Sequence, residues 1–154
     1  RKKYNGPAPE PRQAFMMAYD NKRKRAVLYG GIAGEKRFSD TWEFDRKVWR
    51  KVSDDGPGHR MAAGITYDSK RGLVVIFGGM SEGGSKNDMW GWNGKDWKRI
   101  AETGPNARSM GQLAYDKSRD RIVMFGGRFS WPNDANDTWE WDGVSWKEIK
   151  MVGD

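Results

Sequence analysis

The sequence predicts an all-β protein built from three copies of one four-stranded unit. Arginines recur every 48 residues at positions 12, 60 and 108, and the same interval separates Gly-Gly pairs that begin at residues 30, 78 and 126. Tyr-Asp pairs at 19–20, 67–68 and 115–116 keep this register. A repeat of about 20–50 residues indicates that each copy is one supersecondary unit stacked on the next. No segment has the apolar spacing of a long helix, so the units consist of strands.

Each unit contains four strand-like segments. The first covers residues 13–19, 61–67 and 109–115. The second covers residues 26–29, 74–77 and 122–125, which are continuously apolar, as expected for a strand that is buried on both faces. The third covers residues 41–44, 89–92 and 138–141, where side chains two positions apart share one face. The fourth covers residues 49–52, 97–100 and 146–149 and begins with tryptophan each time.

Short turns separate these segments. Asn93-Gly94 and Asp142-Gly143 offer residues that tolerate a positive φ, and each Gly-Gly pair lets the chain leave the second strand sharply. The spacing of the tryptophans changes from 48 to 49 residues in the third copy, so one residue is inserted between positions 127 and 137. Four antiparallel strands at this period are typical of one blade of a β-propeller.

The order of these residues resembles the kelch repeat: arginine, Tyr-Asp, an apolar strand, Gly-Gly, Asp-x-Trp and a second tryptophan seven residues later. The three copies predict blades at residues 6–55, 56–103 and 104–154. Residues 1–5 are interpreted as the tail of a preceding blade's outer strand. The resemblance implies that the first strand of each blade lines a central channel and that the fourth strand is outermost.

Three blades do not close a propeller. Closed rings have roughly four to eight blades, and an open arc leaves two apolar blade faces in water. Two chains that pair about a two-fold axis would form a six-bladed ring, of which each chain supplies half. Alternatively, the chain is part of a longer propeller chain that supplies the remaining blades.

Eight of the nine tryptophans occupy repeat positions and are expected to pack between blades. Trp131 is the exception, and it lies with Arg128 and Phe129 in the loop that carries the inserted residue. An aromatic residue outside the repeat pattern, on a loop of a rigid scaffold, is a candidate ligand contact. The sequence leaves open whether Trp131 contacts a ligand or packs on the neighbouring blade.

In an antiparallel meander, the loops before the first strands emerge at the same end as the loops after Gly-Gly. By the resemblance, kelch propellers commonly bind peptides or other ligands there, so this end is expected to hold a protein, peptide or glycan. The candidate ligand-binding residues are Arg12, Arg60, Arg108, Arg128, Phe129 and Trp131. Because one arginine recurs in every blade, a structural role for the first three, such as pairing with an acid, is favoured over ligand contact.

The turns at the opposite end collect positive charge, and the chain has a net charge of +7. Such a surface attracts nucleic acid, an anionic polysaccharide or an acidic protein, unless the turns are simply solvated. The predicted polyanion patch consists of Lys22, Arg23, Lys24, Arg25, Lys70, Arg71, Lys117, Arg119 and Arg121.

Residue types that carry catalysis are scarce. The chain has no cysteine, and His59 is its only histidine, so no catalytic residue, metal site or cofactor is predicted. The favoured function is therefore a non-catalytic binding module. Two alternatives stay open: an assembly subunit that acts through its blade edges, and a propeller-type hydrolase or lyase that uses carboxylates. No apolar stretch is long enough to span a bilayer. Residues 137–143 resemble exported bacterial proteins of this repeat style, which points to an extracellular location.

Overall fold

The computed structural model describes residues 6–150, and every regular element in that part of the chain is a β-strand. The predicted all-β class is confirmed. The predicted tail of a preceding blade, residues 1–5, lies outside the described residues. Among the described residues, no helix with the length and apolar character of a membrane span is found.

Blade 1 is an antiparallel sheet in which each strand pairs with the next one in order. Its four strands are β1 (Met16–Asp20), β2 (Arg25–Tyr29), β5 (Thr41–Phe44) and β6 (Trp49–Ser53). The connection from β2 to β5 forms a small hairpin of its own, made of β3 (Ile32–Ala33) and β4 (Lys36–Arg37).

Blades 2 and 3 repeat this arrangement. The sheet of blade 2 consists of β7 (Gly64–Asp68), β8 (Leu73–Phe77), β11 (Met89–Trp92) and β12 (Trp97–Ala101). Its hairpin consists of β9 (Met80–Ser81) and β10 (Gly84–Ser85). In blade 3 the hairpin is continuous with the main sheet, which consists of β13 (Gln112–Asp116), β14 (Arg121–Ser130), β15 (Asn133–Trp141) and β16 (Trp146–Ile149).

The predicted bounds of the third strand are confirmed in blades 1 and 2. The predicted start of the first strand is wrong, because β1, β7 and β13 each begin three residues later. The reason is a left-handed residue at the same place in each repeat: Ala14, Ala62 and Met110 have φ values of 53°, 51° and 60°. Such a conformation interrupts a strand, so the residue before it pairs only through an isolated bridge.

The hydrophobic core lies between the blades. Val27 and Tyr29 of blade 1 pack with side chains of blade 2, among them the fully buried Trp92. On the other side of blade 2, Phe77 belongs to a cluster that includes Trp141 of blade 3. The predicted packing of repeat tryptophans between blades is therefore confirmed at these interfaces.

The first strands of the blades lie next to one another. The amide of Ala62 donates to the carbonyl of Ala14 at 2.8 Å, and the amide of Met110 donates to the carbonyl of Ala62 at 2.7 Å. Strand β7 contacts both β1 and β13, whereas β6, β12 and β16 form the opposite edges of the three sheets. This order agrees with the inner position that the resemblance implies for the first strands.

Candidate functional site

The loops that precede the first strands meet the hairpins that follow Gly-Gly. Isolated bridges join Gln13 to Ile32, Met61 to Met80 and Ser109 to Arg128. We call this end of the blades the hairpin end, and the opposite end, which carries the turn at Asp142, the turn end. The structure thus places the two groups of predicted loops together.

The three repeated arginines form buried ion pairs at the hairpin end. Each guanidinium binds both oxygens of one aspartate and also donates to the carbonyl of the first glycine of Gly-Gly. Their side chains are only 1–2% exposed. The pairs are Arg12 with Asp40, Arg60 with Asp88 and Arg108 with Asp137, at shortest N–O distances of 2.5, 2.6 and 2.5 Å. This burial favours the structural role of these arginines.

Each of the three aspartates also accepts a hydrogen bond from the indole of the tryptophan two residues later. Trp90, for example, donates to Asp88 at 2.8 Å. Burial alone raises the pKa of Asp88, but the hydrogen bonds from Arg60 and Trp90 outweigh burial and lower this pKa below its usual value. The pairing therefore links the start of the third strand to the loop before the first strand, with the carboxylate ionised.

Acid is expected to destabilise the protein through these pairs. The hydrogen bond from Arg108 lowers the pKa of Asp137, although burial opposes this shift. A carboxyl with a depressed folded-state pKa contributes stability above its unfolded pKa of about 3.9, and this contribution disappears as the pH falls through the folded pKa. Urea titrations should therefore show the steepest loss of stability below about pH 4. Asp137→Asn should be less stable at neutral pH and lose less on acidification, and an unchanged acid dependence would contradict this assignment.

A groove of about 390 Å³ runs between the hairpin of blade 2 and the long hairpin of blade 3. Blade 2 contributes Met80 to its wall, and the loop before β13 contributes Met110. Blade 3 contributes Arg128, Phe129 and Trp131. We call this feature the hairpin groove. It holds three of the six predicted ligand-binding residues.

Trp131 sits at the tip of the long hairpin and is 78% exposed. The guanidinium of Arg128 lies 4.7 Å from the centre of its ring and is also paired with Asp134 at 2.7 Å. The guanidinium of Arg108 lies over the ring of Phe129, 4.7 Å from the ring centre. Of the two readings left open by the sequence, this exposure favours ligand contact for Trp131.

Sequence reasoning missed the two methionines of the groove. Met80 is 37% exposed and Met110 is 54% exposed, and both line the hairpin groove together with Trp131. A signal was present for Met110, because the equivalent positions in the other repeats are alanines, Ala14 and Ala62. A departure from the repeat on an otherwise regular scaffold marks a place that packing alone does not dictate.

The predicted polyanion patch lies at the turn end, but much of its charge is paired. Five of its nine residues form ion pairs with carboxylates of the described part of the chain. These residues are Arg23, Arg25, Lys70, Arg71 and Arg119. Polyanion binding by the patch stays a prediction.

Two further cavities lie beside the inner strands. One, of about 470 Å³, is lined by Tyr19, Tyr67 and Tyr115, and the other, of about 420 Å³, is lined by apolar residues that include Phe15 and Met17. Within residues 6–150, no aspartate or glutamate lines either cavity. The same residues contain no group of three or more metal-ligating side chains.

The comparisons with known proteins agree with this architecture. A search of curated proteins found no match to this chain. The family model described as the KLHDC2/KLHL20/DRC7 Kelch-repeats domain matches residues 1–154. Because this match spans the whole sequence, the chain belongs to this Kelch-repeat family, whose domains are protein-interaction propeller modules.

Proposed function

We propose that the hairpin groove binds a peptide segment of a partner protein, with an apolar or aromatic side chain of that segment seated against Trp131. The observation that carries the proposal is a largely exposed tryptophan at the tip of a hairpin, directly beside an apolar groove. A tryptophan in water presents a large apolar surface, and burying such a surface in a partner is the usual source of binding energy.

The chemistry of the groove favours a peptide over a glycan. Its lining includes the apolar side chains of Met80, Met110, Phe129 and Trp131, and its smaller polar part comes from serines and Arg128. A glycan would bring many hydroxyl groups, each of which needs a hydrogen-bond partner when it is buried. Methionine side chains adapt to differently shaped apolar partners, which suits recognition of a side chain from another protein.

The arginine pairs give this groove a rigid base. Arg108 is held by Asp137 and by the carbonyls of Gly126 and Asn106, and its guanidinium supports the ring of Phe129. A site whose side chains are already in place loses little conformational entropy when a ligand binds. In this proposal Arg108 therefore positions the groove, while Arg128, Phe129 and Trp131 contact the ligand.

Replacing Trp131 with alanine should weaken peptide binding by roughly 30-fold or more, because a central aromatic anchor contributes about 2 kcal/mol or more. The probe is a set of peptides enriched from a displayed random library on the unmodified chain, and their affinities are measured by calorimetry. The melting temperature should stay unchanged, since Trp131 buries little of its own surface.

Val144→Ala is the matched control. Val144 is also a strongly exposed apolar residue, at 85%, but it lies in the turn between β15 and β16 at the turn end. This substitution should leave peptide affinity unchanged. Equal losses in both variants, or a Trp131→Ala variant that melts early without a specific loss of affinity, would contradict the proposed site.

A further inference from the structure

The outward face of blade 3 repeats the face that blade 1 turns towards blade 2. The strand registers align the two faces residue by residue, in the second strand and in the third. The matching positions are Val27 with Val123, Tyr29 with Phe125, Thr41 with Thr138 and Glu43 with Glu140.

In blade 1, this face recognises two indoles of blade 2. Trp97 donates its indole N–H to the hydroxyl of Thr41 at 2.9 Å, and Trp92 donates to the carboxylate of Glu43 at 2.9 Å. The ring of Trp97 also packs on Tyr29, with 5.0 Å between the ring centres. The face therefore combines an apolar platform with two acceptors placed for tryptophan donors.

The interface between blades 2 and 3 lacks these acceptors. Met89 stands at the Thr41 position and Gly91 at the Glu43 position. As a consequence, the indole N–H groups of Trp141 and Trp146 are buried without a hydrogen-bond partner. Blade 2 thus lacks both acceptors. In blade 1, where they are present, both accept hydrogen bonds from tryptophans of the neighbouring blade.

Blade 3 restores both acceptors on a face that no described blade covers. Phe125 is 57% exposed, whereas the equivalent Tyr29 is fully buried against blade 2. Glu140 is held by Arg119 at 2.6 Å, just as Glu43 is held by Arg23 at 2.5 Å. An exposed aromatic platform with a fixed carboxylate beside it matches the established interface in both packing and charge.

The docked blade also carries a glycine in the turn that faces this arginine. A Cβ at Gly94 of blade 2 would lie 2.6 Å from the guanidinium of Arg23, so the glycine leaves room for that arginine. Gly143 of blade 3 leaves room for Arg71 in the same way. Arg119 is the equivalent arginine on the outward face of blade 3 and would lie against the same turn of a docked blade.

A second copy of this chain does not meet these requirements. Blade 1 would be the docking blade of that copy, and Trp49 stands at its Trp97 position. Phe44, however, replaces the Trp92 donor, so Glu140 would receive no indole N–H. Arg46 replaces Gly94 and would bring a like charge against Arg119. We propose that the outward face of blade 3 binds a kelch blade that differs from blade 1, with tryptophans at the Trp92 and Trp97 positions and glycine at the Gly94 position.

The test converts blade 1 into a matching blade. The double variant Phe44→Trp with Arg46→Gly should associate with itself at least about tenfold more tightly than the unmodified chain, because it supplies a hydrogen bond to a charged acceptor and removes a like charge. Sedimentation equilibrium measures both dissociation constants. Glycine at position 46 is compatible with the backbone, since Arg46 already has a φ of 75°.

Glu140→Ala, added to the double variant, should remove the gain in association. Chain extension provides an independent measurement that does not depend on the folding of the double variant: residues 56–103, which carry the required tryptophans and glycine, are appended after residue 154. The extended chain should protect Phe125 from solvent and resist urea better than one extended with residues 6–55. Equal self-association of the unmodified chain and the double variant, or equal stability of the two extended chains, would overturn the proposal.

Discussion

Replacing Arg60 with alanine is expected to lower the free energy of unfolding by about 3–5 kcal/mol, because this change leaves a buried carboxylate without its partner. The Arg60 side chain is 2% exposed, and its guanidinium binds both oxygens of Asp88 as well as the carbonyl of Gly78. Without the arginine, Asp88 loses both hydrogen bonds from the guanidinium and retains the one from the indole of Trp90. Urea unfolding at neutral pH measures the loss.

Arg37→Ala is the control for this prediction. Arg37 also pairs with an acid, Glu82, but the two side chains are 46% and 81% exposed and lie 3.4 Å apart. An exposed pair contributes roughly 0–1 kcal/mol, so this variant should stay close to the unmodified chain. A loss for Arg60→Ala as small as that for Arg37→Ala would mean that the buried pairs do not hold the hairpin end together.

Replacing Gly78 with alanine should destabilise the protein by about 3 kcal/mol or more, from strain and overlap combined. Gly78 has a φ of +67°, which L-residues rarely adopt. An added Cβ would overlap the carbonyl oxygen of Arg108 in the next blade and would lie 3.1 Å from the carbonyl oxygen of Lys86. The missing side chain therefore allows blades 2 and 3 to approach each other at this point.

Gly83→Ala separates the cost of backbone strain from the cost of steric overlap. Gly83 has a comparable φ of +83°, but an added Cβ there would meet nothing within 4 Å. Only the backbone strain of about 1–2 kcal/mol then applies. Equal losses in the two variants, measured by thermal and urea unfolding, would contradict the close approach of the blades at Gly78.

The repeat pattern predicts the sheets well because each strand is marked three times. Thr41–Phe44 and Met89–Trp92 have the predicted bounds, since the aromatic alternation that marks them extends over the whole strand. The predicted starts of the first strands were wrong for a conformational reason. Alanine at positions 14 and 62 gives no sign of a positive φ, and the hydrogen bonds that join these loops to the neighbouring blade are tertiary contacts that the sequence does not mark.

The candidate site was only partly predictable. Trp131 was identifiable because it breaks the repeat, and Phe129 and Arg128 because they share its loop. The role of the three arginines depended on their partners, and the repeated aspartates at positions 40, 88 and 137 were a usable sign of pairing. Met80 could not be found from the sequence, because its place in the groove depends on how the hairpins of blades 2 and 3 lie side by side.

The hydrogen-bond acceptors on the blade faces could not be recognised as such from the sequence. Thr41 and Glu43 differ from Met89 and Gly91 in the printed sequence, but the difference acquires meaning only once the facing tryptophans are known. The alternation of side chains along a strand indicates which residues share a face, but it does not indicate which blade that face contacts. The partner of an interblade hydrogen bond is therefore a tertiary property.

Hydrogen exchange with and without an enriched peptide tests directly whether the hairpin groove binds a segment of a partner protein. We expect slower amide exchange on peptide binding at residues 80–85, 109–110 and 128–131, with no change in the turn at residues 142–145. Slower exchange at the turn end, or along the outward face of blade 3, with the groove unchanged, would contradict it.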